Sequence, residues 1–153
     1  MEQRHGFDFI AGNWLVTNRR LRQRGVGSAD WEVFTSQGTA QRLMEGAVSV
    51  DETEFPSQGF RGMALRIYSP ERDDWAIYWI NSARGVLEPP VFGRFEGTRG
   101  TFMGDDTDAG RPVKVRFEWT GTDGVTPRWS QSFSYDGGTS WELNWTMDFR
   151  RAD

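Results

Sequence analysis

The sequence predicts an all-β fold, an antiparallel barrel of about ten strands entered through a short N-terminal helical turn. Three observations carry that prediction. In the stretch 127–150, PRWSQSFSYDGGTSWELNWTMDFR, two alternating runs flank an Asp-Gly-Gly turn, a strong hairpin signal. Trp129, Gln131, Phe133 and Tyr135 share a face of the first run. Trp141, Leu143, Trp145, Met147 and Phe149 share a face of the second, with Glu142, Asn144, Thr146 and Asp148 opposite. Second, most of the remaining chain divides into short runs with one apolar face, joined by Gly-, Pro- and Asp-containing turns. Such an up-and-down series closes most simply into a barrel, which also removes exposed edges. Third, the chain has 153 residues, 14% of them aromatic, including eight tryptophans. That length suits one domain, 1–153, able to bury roughly 70% of its unfolded surface, and the tryptophans exceed what a filled core of this size usually holds.

The elements follow in order. GFDFIAG supplies Phe7, Phe9 and Ile10 to a helical turn or plug that Gly12 ends. Strand one runs Asn13 to Arg24, with Trp14, Val16, Asn18, Arg20 and Arg22 on one face. Residues 25–38, with their Gly and Ser positions and the cluster Trp31, Val33 and Phe34, read as a longer loop and a lid. Strands two and three follow at 39–45 and 46–53. Strand four, 60–68, sets Ala64, Arg66 and Tyr68 opposite Met63, Leu65 and Ile67. Strand five, 75–81, is apolar on both faces, with Trp75, Ile77 and Trp79 opposite Ala76, Tyr78 and Ile80, so both faces should be covered. Residues 82–90 form a loop ending in two prolines. Strands at 91–96 and 101–106 make a hairpin, and the strand at 114–120 alternates cleanly, with Val115, Phe117 and Trp119 opposite Lys114, Arg116 and Glu118.

Composition excludes several chemistries. There is no cysteine, and the one histidine is His5, so disulfides, thiolate nucleophiles, His-based triads and His/Cys zinc sites are not available. The chain has no phosphate loop and no dinucleotide fingerprint, and no cofactor or metal is expected. The acidic run Asp105, Asp106 and Asp108 misses the spacing of a calcium loop and reads as a turn. A net charge of −4 gives no attraction toward nucleic acid. No apolar run approaches the roughly 20 residues of a membrane span, and no signal-peptide core opens the chain, so the expected setting is the cytoplasm. Lys114 is the only lysine. The abundance of arginine fits either codon usage or planar contacts to anions.

At Gly12-Asn13-Trp14, after the helical turn, the chain resembles the glycine-x-tryptophan opening of lipocalins and the wider calycins. The series GNWLVTNRRL, GVLEPPVFGRF, DDTDAGRPVKVRFEW and RWSQSFSYDGGTSWELNWTMDF is similar to a bacterial family of lipocalin-like barrels of unknown function. The resemblance covers nearly the whole chain and implies a calycin barrel with an internal cavity. Asn18 stands where that family usually has histidine, Ser49 where it has asparagine, and Ser130 where it has glutamate. Chemistry seated at those positions would be altered here.

Inward alternation from Trp14 selects Asn18 and Arg20 as pocket residues, and a buried arginine needs a carboxylate or an anionic ligand. Gln131, set among three aromatics, needs partners if buried. Arg66, Tyr78, Trp79, Arg94, Trp129, Asn144 and Trp145 complete the expected ligand-binding set. The single motif SYDGGTSW resembles an aspartate box but reads as turn chemistry, with Asp136 capping backbone N–H groups. Three functions fit. The first is a binding barrel for a small apolar or aromatic ligand, including an acidic one. The second is a cofactor-free isomerase, cyclase or decarboxylase acting on an aromatic or polyketide-like molecule, with Glu142, Glu118 or Tyr78 moving a proton. The third is a filled barrel that forms a structural homodimer. Which face of the last hairpin looks inward, the aromatic face with Gln131 or the Glu142–Asn144 face, decides which of these residues belong to a site, and the aromatic face is the expectation.

Overall fold

The computed structural model describes residues 2–152. Ten strands form in chain order: β1 Gly12–Leu21, β2 Trp31–Leu43, β3 Val48–Phe55, β4 Phe60–Ser69, β5 Asp74–Asn81, β6 Val91–Glu96, β7 Arg99–Asp108, β8 Arg111–Thr120, β9 Arg128–Ser134 and β10 Glu142–Arg151. Each pairs antiparallel with the next, and β10 returns to β1, so the sheet is a closed barrel. No described helix is long and apolar enough to cross a membrane.

The N-terminal segment closes one end. Two short 3-10 turns, Gln3–His5 and Asp8–Ile10, carry Phe7 into the barrel. Its ring is 1% exposed and lies 5.0 Å from Trp75, 4.9 Å from Phe95 and 5.6 Å from Phe102. Polar bonds lock the plug. Gln3 donates from Nε2 to the Phe95 carbonyl at 2.7 Å and accepts the Phe95 N–H at 2.8 Å. Trp75 Nε1 donates to the Gln3 carbonyl at 2.7 Å, and Trp14 Nε1 to the Ile10 carbonyl at 2.7 Å. Gly12 enters β1 at φ +123°, where a side chain would be strained and would meet Arg151.

The structure corrects the expected loop at 25–38. Residues 31–38 belong to β2, paired along β1 from Trp31↔Leu21 to Gly38↔Trp14. Glu32, Phe34 and Ser36 alternate inward against outward Val33, Thr35 and Gln37, a period-2 pattern that the small residues obscure. Only residues 22–30 connect β1 to β2. The β2–β3 break falls at Met44–Gly46, where Met44, Glu45 and Gly46 all take positive φ. Asp105, Asp106 and Asp108 are among the last residues of strand β7 and not in a turn; the reversal itself is made by Ala109 and Gly110 at positive φ.

The last hairpin forms as expected, with one change of register. Glu142 pairs Phe133 and Leu143 pairs Ser132, but Trp145 pairs Gln131, so Asn144 sits in a bulge. A bulge shifts the alternation of every residue before it. Leu143 therefore turns outward and is 43% exposed, while Glu142 joins inward Phe133. The Asp136 turn chemistry also holds: its carboxylate accepts from the Ser140 N–H at 2.9 Å, the Ser140 hydroxyl at 2.5 Å and the Ser134 hydroxyl at 2.7 Å. Gly137 and Gly138 take φ +75° and +101°. The bonds from the Ser140 hydroxyl and N–H, and then from Ser134, hold the Asp136 carboxyl down to about 2. A depressed carboxylate stabilises the fold above its unfolded pKa, about 4, and loses that contribution as pH falls through its folded value. Asp136→Asn should therefore melt below wild type at pH 7, and the gap in Tm should close as pH falls from 4 toward 2. An equal gap throughout would show that the charge is not involved.

Outside, Val50, Leu65 and Tyr78 align across β3–β5, beside Val48, Ile67, Ala76, Phe92 and Met103 across β3–β7. The second apolar face of β5 is matched by its neighbours but not covered as expected: Ile67, Phe92 and Met103 beside it stay exposed.

Candidate functional site

Between the plug and the opposite end, the barrel encloses a cavity of about 270 Å³. The barrel is therefore not filled, which corrects the third reading in its filled-barrel form. Five tryptophans line the space: Trp14 from β1, Trp79 from β5, Trp119 from β8, Trp129 from β9 and Trp145 from β10. Phe117, Phe133 and Phe149, with Met147, complete the apolar side, and small Gly38, Ala40 and Ala64 leave room on the other. Trp129 and Trp145 meet edge to face, 5.5 Å apart at 86°, a favoured aromatic geometry.

Two polar features face this space from opposite walls. On β3 and β4, Arg66 is 4% exposed and pairs with Asp51 through Nη2, while Nη1 donates to Ser49 Oγ at 3.1 Å. Asp51 also accepts the Ala64 N–H at 3.2 Å. The guanidinium lies 5.1 Å from the Phe7 ring centroid, and its Nε has no partner among the described residues. On β9, Gln131 lines the cavity and donates from Nε2 to Asn144 Oδ1 at 2.8 Å. In sequence the two faces of the hairpin stand as alternatives. The bulge brings Gln131 and Asn144 together, and Asn144 is fully buried.

The other expected residues divide clearly. Trp14, Trp79, Trp129, Gln131, Trp145 and Arg66 line the cavity. Asn18 points inward but is closed off: its Nδ2 donates to Ser36 Oγ at 2.8 Å, its Oδ1 accepts Trp145 Nε1 at 3.0 Å, and it is 0% exposed. Arg20 is also inward, but Glu32 and Gln58 hold it at 2.9 and 2.6 Å, and its guanidinium is sandwiched between Phe34 and Trp145. It is a structural ion pair and not a free anchor. Arg94 is a correction, since pleat alternation sets it on the outer face, where it is exposed and donates to the Arg72 carbonyl. Glu118 is another, paired on the outer face with Arg99 and Arg116. Tyr78 borders the cavity, but its cross-strand partner is outward Leu65, so alternation turns its side chain away from Trp79 and Arg66.

Glu142 stands at the open end, and its Oε1 accepts the Gly25 N–H at 2.8 Å. The β1–β2 connection is tied there across the mouth. Arg24 bonds Asp108 on β7 at 2.9 Å, passing β10, β9 and β8, and Arg111 donates to the Gly25 carbonyl at 3.3 Å. The Tyr135 hydroxyl donates to Asp108 at 2.6 Å. Burial, then the Asp108 hydrogen bond, pushes the Tyr135 hydroxyl well above its usual value. For Asp108 burial pulls upward, but the bonds from Arg24 and Tyr135 and the charges of Arg24 and Arg111 outweigh it, leaving the carboxyl below its ordinary value.

Sequence reasoning missed Asp51 and Asp106 as lining residues. Both had a signal: Asp51 alternates with Val50, and Asp106 shares the even-numbered face of buried Phe102. Trp119 could likewise have been taken from its alternation with Phe117 and Val115. No group of three His, Asp or Glu side chains among the described residues is placed to hold a metal ion. No family model matches the chain, and no curated protein sequence matches it.

Proposed function

We propose that this barrel is a calycin-type binding protein that takes a small, largely aromatic molecule into its tryptophan-lined cavity. The observation that carries the reading is the combination of about 270 Å³ of space with five indole walls, the Asp51–Arg66 pair and the Gln131 amide on opposite walls, and further charged groups toward the open end. Ligand sites are typically apolar and concave with a few placed polar groups, at volumes from roughly 300 Å³ upward, so this cavity suits a ligand at the small end. The lipocalin-like sequence series points the same way. An acid–base enzyme has less support, because Glu118 is tied outside, Tyr78 turns outward and Glu142 holds the Gly25 backbone.

Titrating naphthalene derivatives into the protein should give saturable quenching of tryptophan fluorescence. Ala64→Leu places extra side-chain volume on the lining of the cavity beside Trp79. It should weaken binding at least about tenfold, roughly 1.4 kcal/mol, with an unchanged far-UV spectrum. Equal quenching in both proteins would place the ligands on the surface and sink the reading.

A further inference from the structure

We propose that the cavity selects amphiphilic amines, binding the apolar body among the tryptophans and the ammonium on Asp106. The inference rests on the binding reading above and sharpens it, and it departs from the acidic ligand that the arginine content first suggested.

The argument starts from the charges around the cavity. Three cations line it, Arg24, Arg66 and Arg84. Each is already neutralised: Arg24 by Asp108, Arg66 by Asp51, and Arg84 by Glu88 at 3.1 Å. Asp105 is paired with Lys114 at 2.6 Å. Asp106 is the remaining lining carboxylate, and no cationic side chain among the described residues lies within ion-pair distance of it. Its one bond is from the neighbouring Thr107 N–H at 2.7 Å. The charge of every lining arginine is therefore balanced by a carboxylate, whereas one lining carboxylate has no balancing cation among the described residues.

Placement supports this. Asp106 pairs with Val113, a buried core residue, so its side chain falls on the inner face. It sits toward the open end, near the end of β7, two residues before Asp108, which binds Arg24 across the mouth. Trp79, Phe133 and Trp145 stand at the same end of their own strands. An ammonium there donates a charge-assisted hydrogen bond to the carboxylate; the rings of Phe133 and Trp145 already carry Arg24 and Arg20, so the carboxylate supplies the recognition of the cation and the aromatic lining that of the apolar body. A carboxylate ligand would meet Asp106 with like charge, and the one buried cationic donor on the lining without a partner among the described residues, Arg66 Nε, belongs to a guanidinium already paired with Asp51.

The test uses three naphthalenes of nearly equal size, 2-naphthylmethylamine, 2-naphthylmethanol and 2-naphthoate, titrated calorimetrically at pH 7 and low salt. The amine should bind at least about tenfold more tightly than the alcohol, and the acid most weakly. Asp106→Asn should bring the amine to the alcohol's affinity while leaving the alcohol within about twofold, which also shows that the variant is folded. Equal binding of amine and alcohol, tighter binding of the acid, or an amine preference that survives in Asp106→Asn overturns the amine inference and leaves the cavity reading standing. If none of the three binds to wild type, the cavity reading itself falls.

Discussion

Replacing Phe7 by alanine is expected to lower the free energy of unfolding by about 3–5 kcal/mol, the usual range for truncating a buried phenylalanine. The ring touches the inner faces of four strands at once. It meets Trp75 of β5, Phe95 of β6, Phe102 of β7 and Trp119 of β8, with Trp75 and Phe95 edge-on at 88° and 80°. These partners sit on a closed, hydrogen-bonded wall that cannot collapse inward without bending strands, so the void would persist and the cost should lie high in the range. Against a typical domain stability of about 5–15 kcal/mol, this is a large share. The effect should appear in urea unfolding followed by far-UV circular dichroism. Phe9→Ala, at a half-buried neighbour, should cost clearly less. A loss below about 1 kcal/mol for Phe7→Ala would mean that the plug does not hold the barrel end.

The second large effect concerns the Asp51–Arg66 pair. Asp51→Ala should destabilise by about 3–5 kcal/mol, because it strands a buried guanidinium without its counter-charge. Arg66 would keep only Ser49 and the face of Phe7, and its Nε already lacks a partner. The Asp51 side chain is 15% exposed, so water entering through the cavity would relieve part of the cost and place the result near the lower end. The double variant Asp51→Leu with Arg66→Met should recover most of the loss, since apolar replacements of a buried pair are often neutral or better. Urea unfolding of the two single variants and the double would give the coupling directly. Additive losses would show that the two side chains do not depend on each other.

Much of the barrel was legible in sequence because closed antiparallel sheets impose a period of two on every strand. That period set Trp14, Val16, Asn18 and Arg20 inward, and likewise Trp129 and Gln131, as observed. It was unreadable where small or polar residues occupy the inner face. Glu32 and Ser36 on β2 and Asp106 and Asp108 on β7 give no hydrophobic contrast, so the first part of β2 reads as a loop and β7 reads shorter than it is. The bulge at Asn144 was hidden for a different reason. It is a property of the pairing between two strands, and nothing in ELNW distinguishes it from regular alternation.

The sequence by itself determined the fold class, the hairpin with its Asp136 turn, the N-terminal plug and an aromatic interior. All of these depend on local pattern and turn chemistry. The tertiary structure alone decided which polar residues are free. Arg20 faces inward in both accounts, but only the approach of Glu32 and Gln58 shows that it is already neutralised. Asp106 looks like one more turn aspartate until the partners of Arg24, Arg66, Arg84 and Lys114 are known. A side chain's face follows from the strand it belongs to, whereas its partner follows from strands distant in sequence, and in this barrel the partners decide what the cavity can bind.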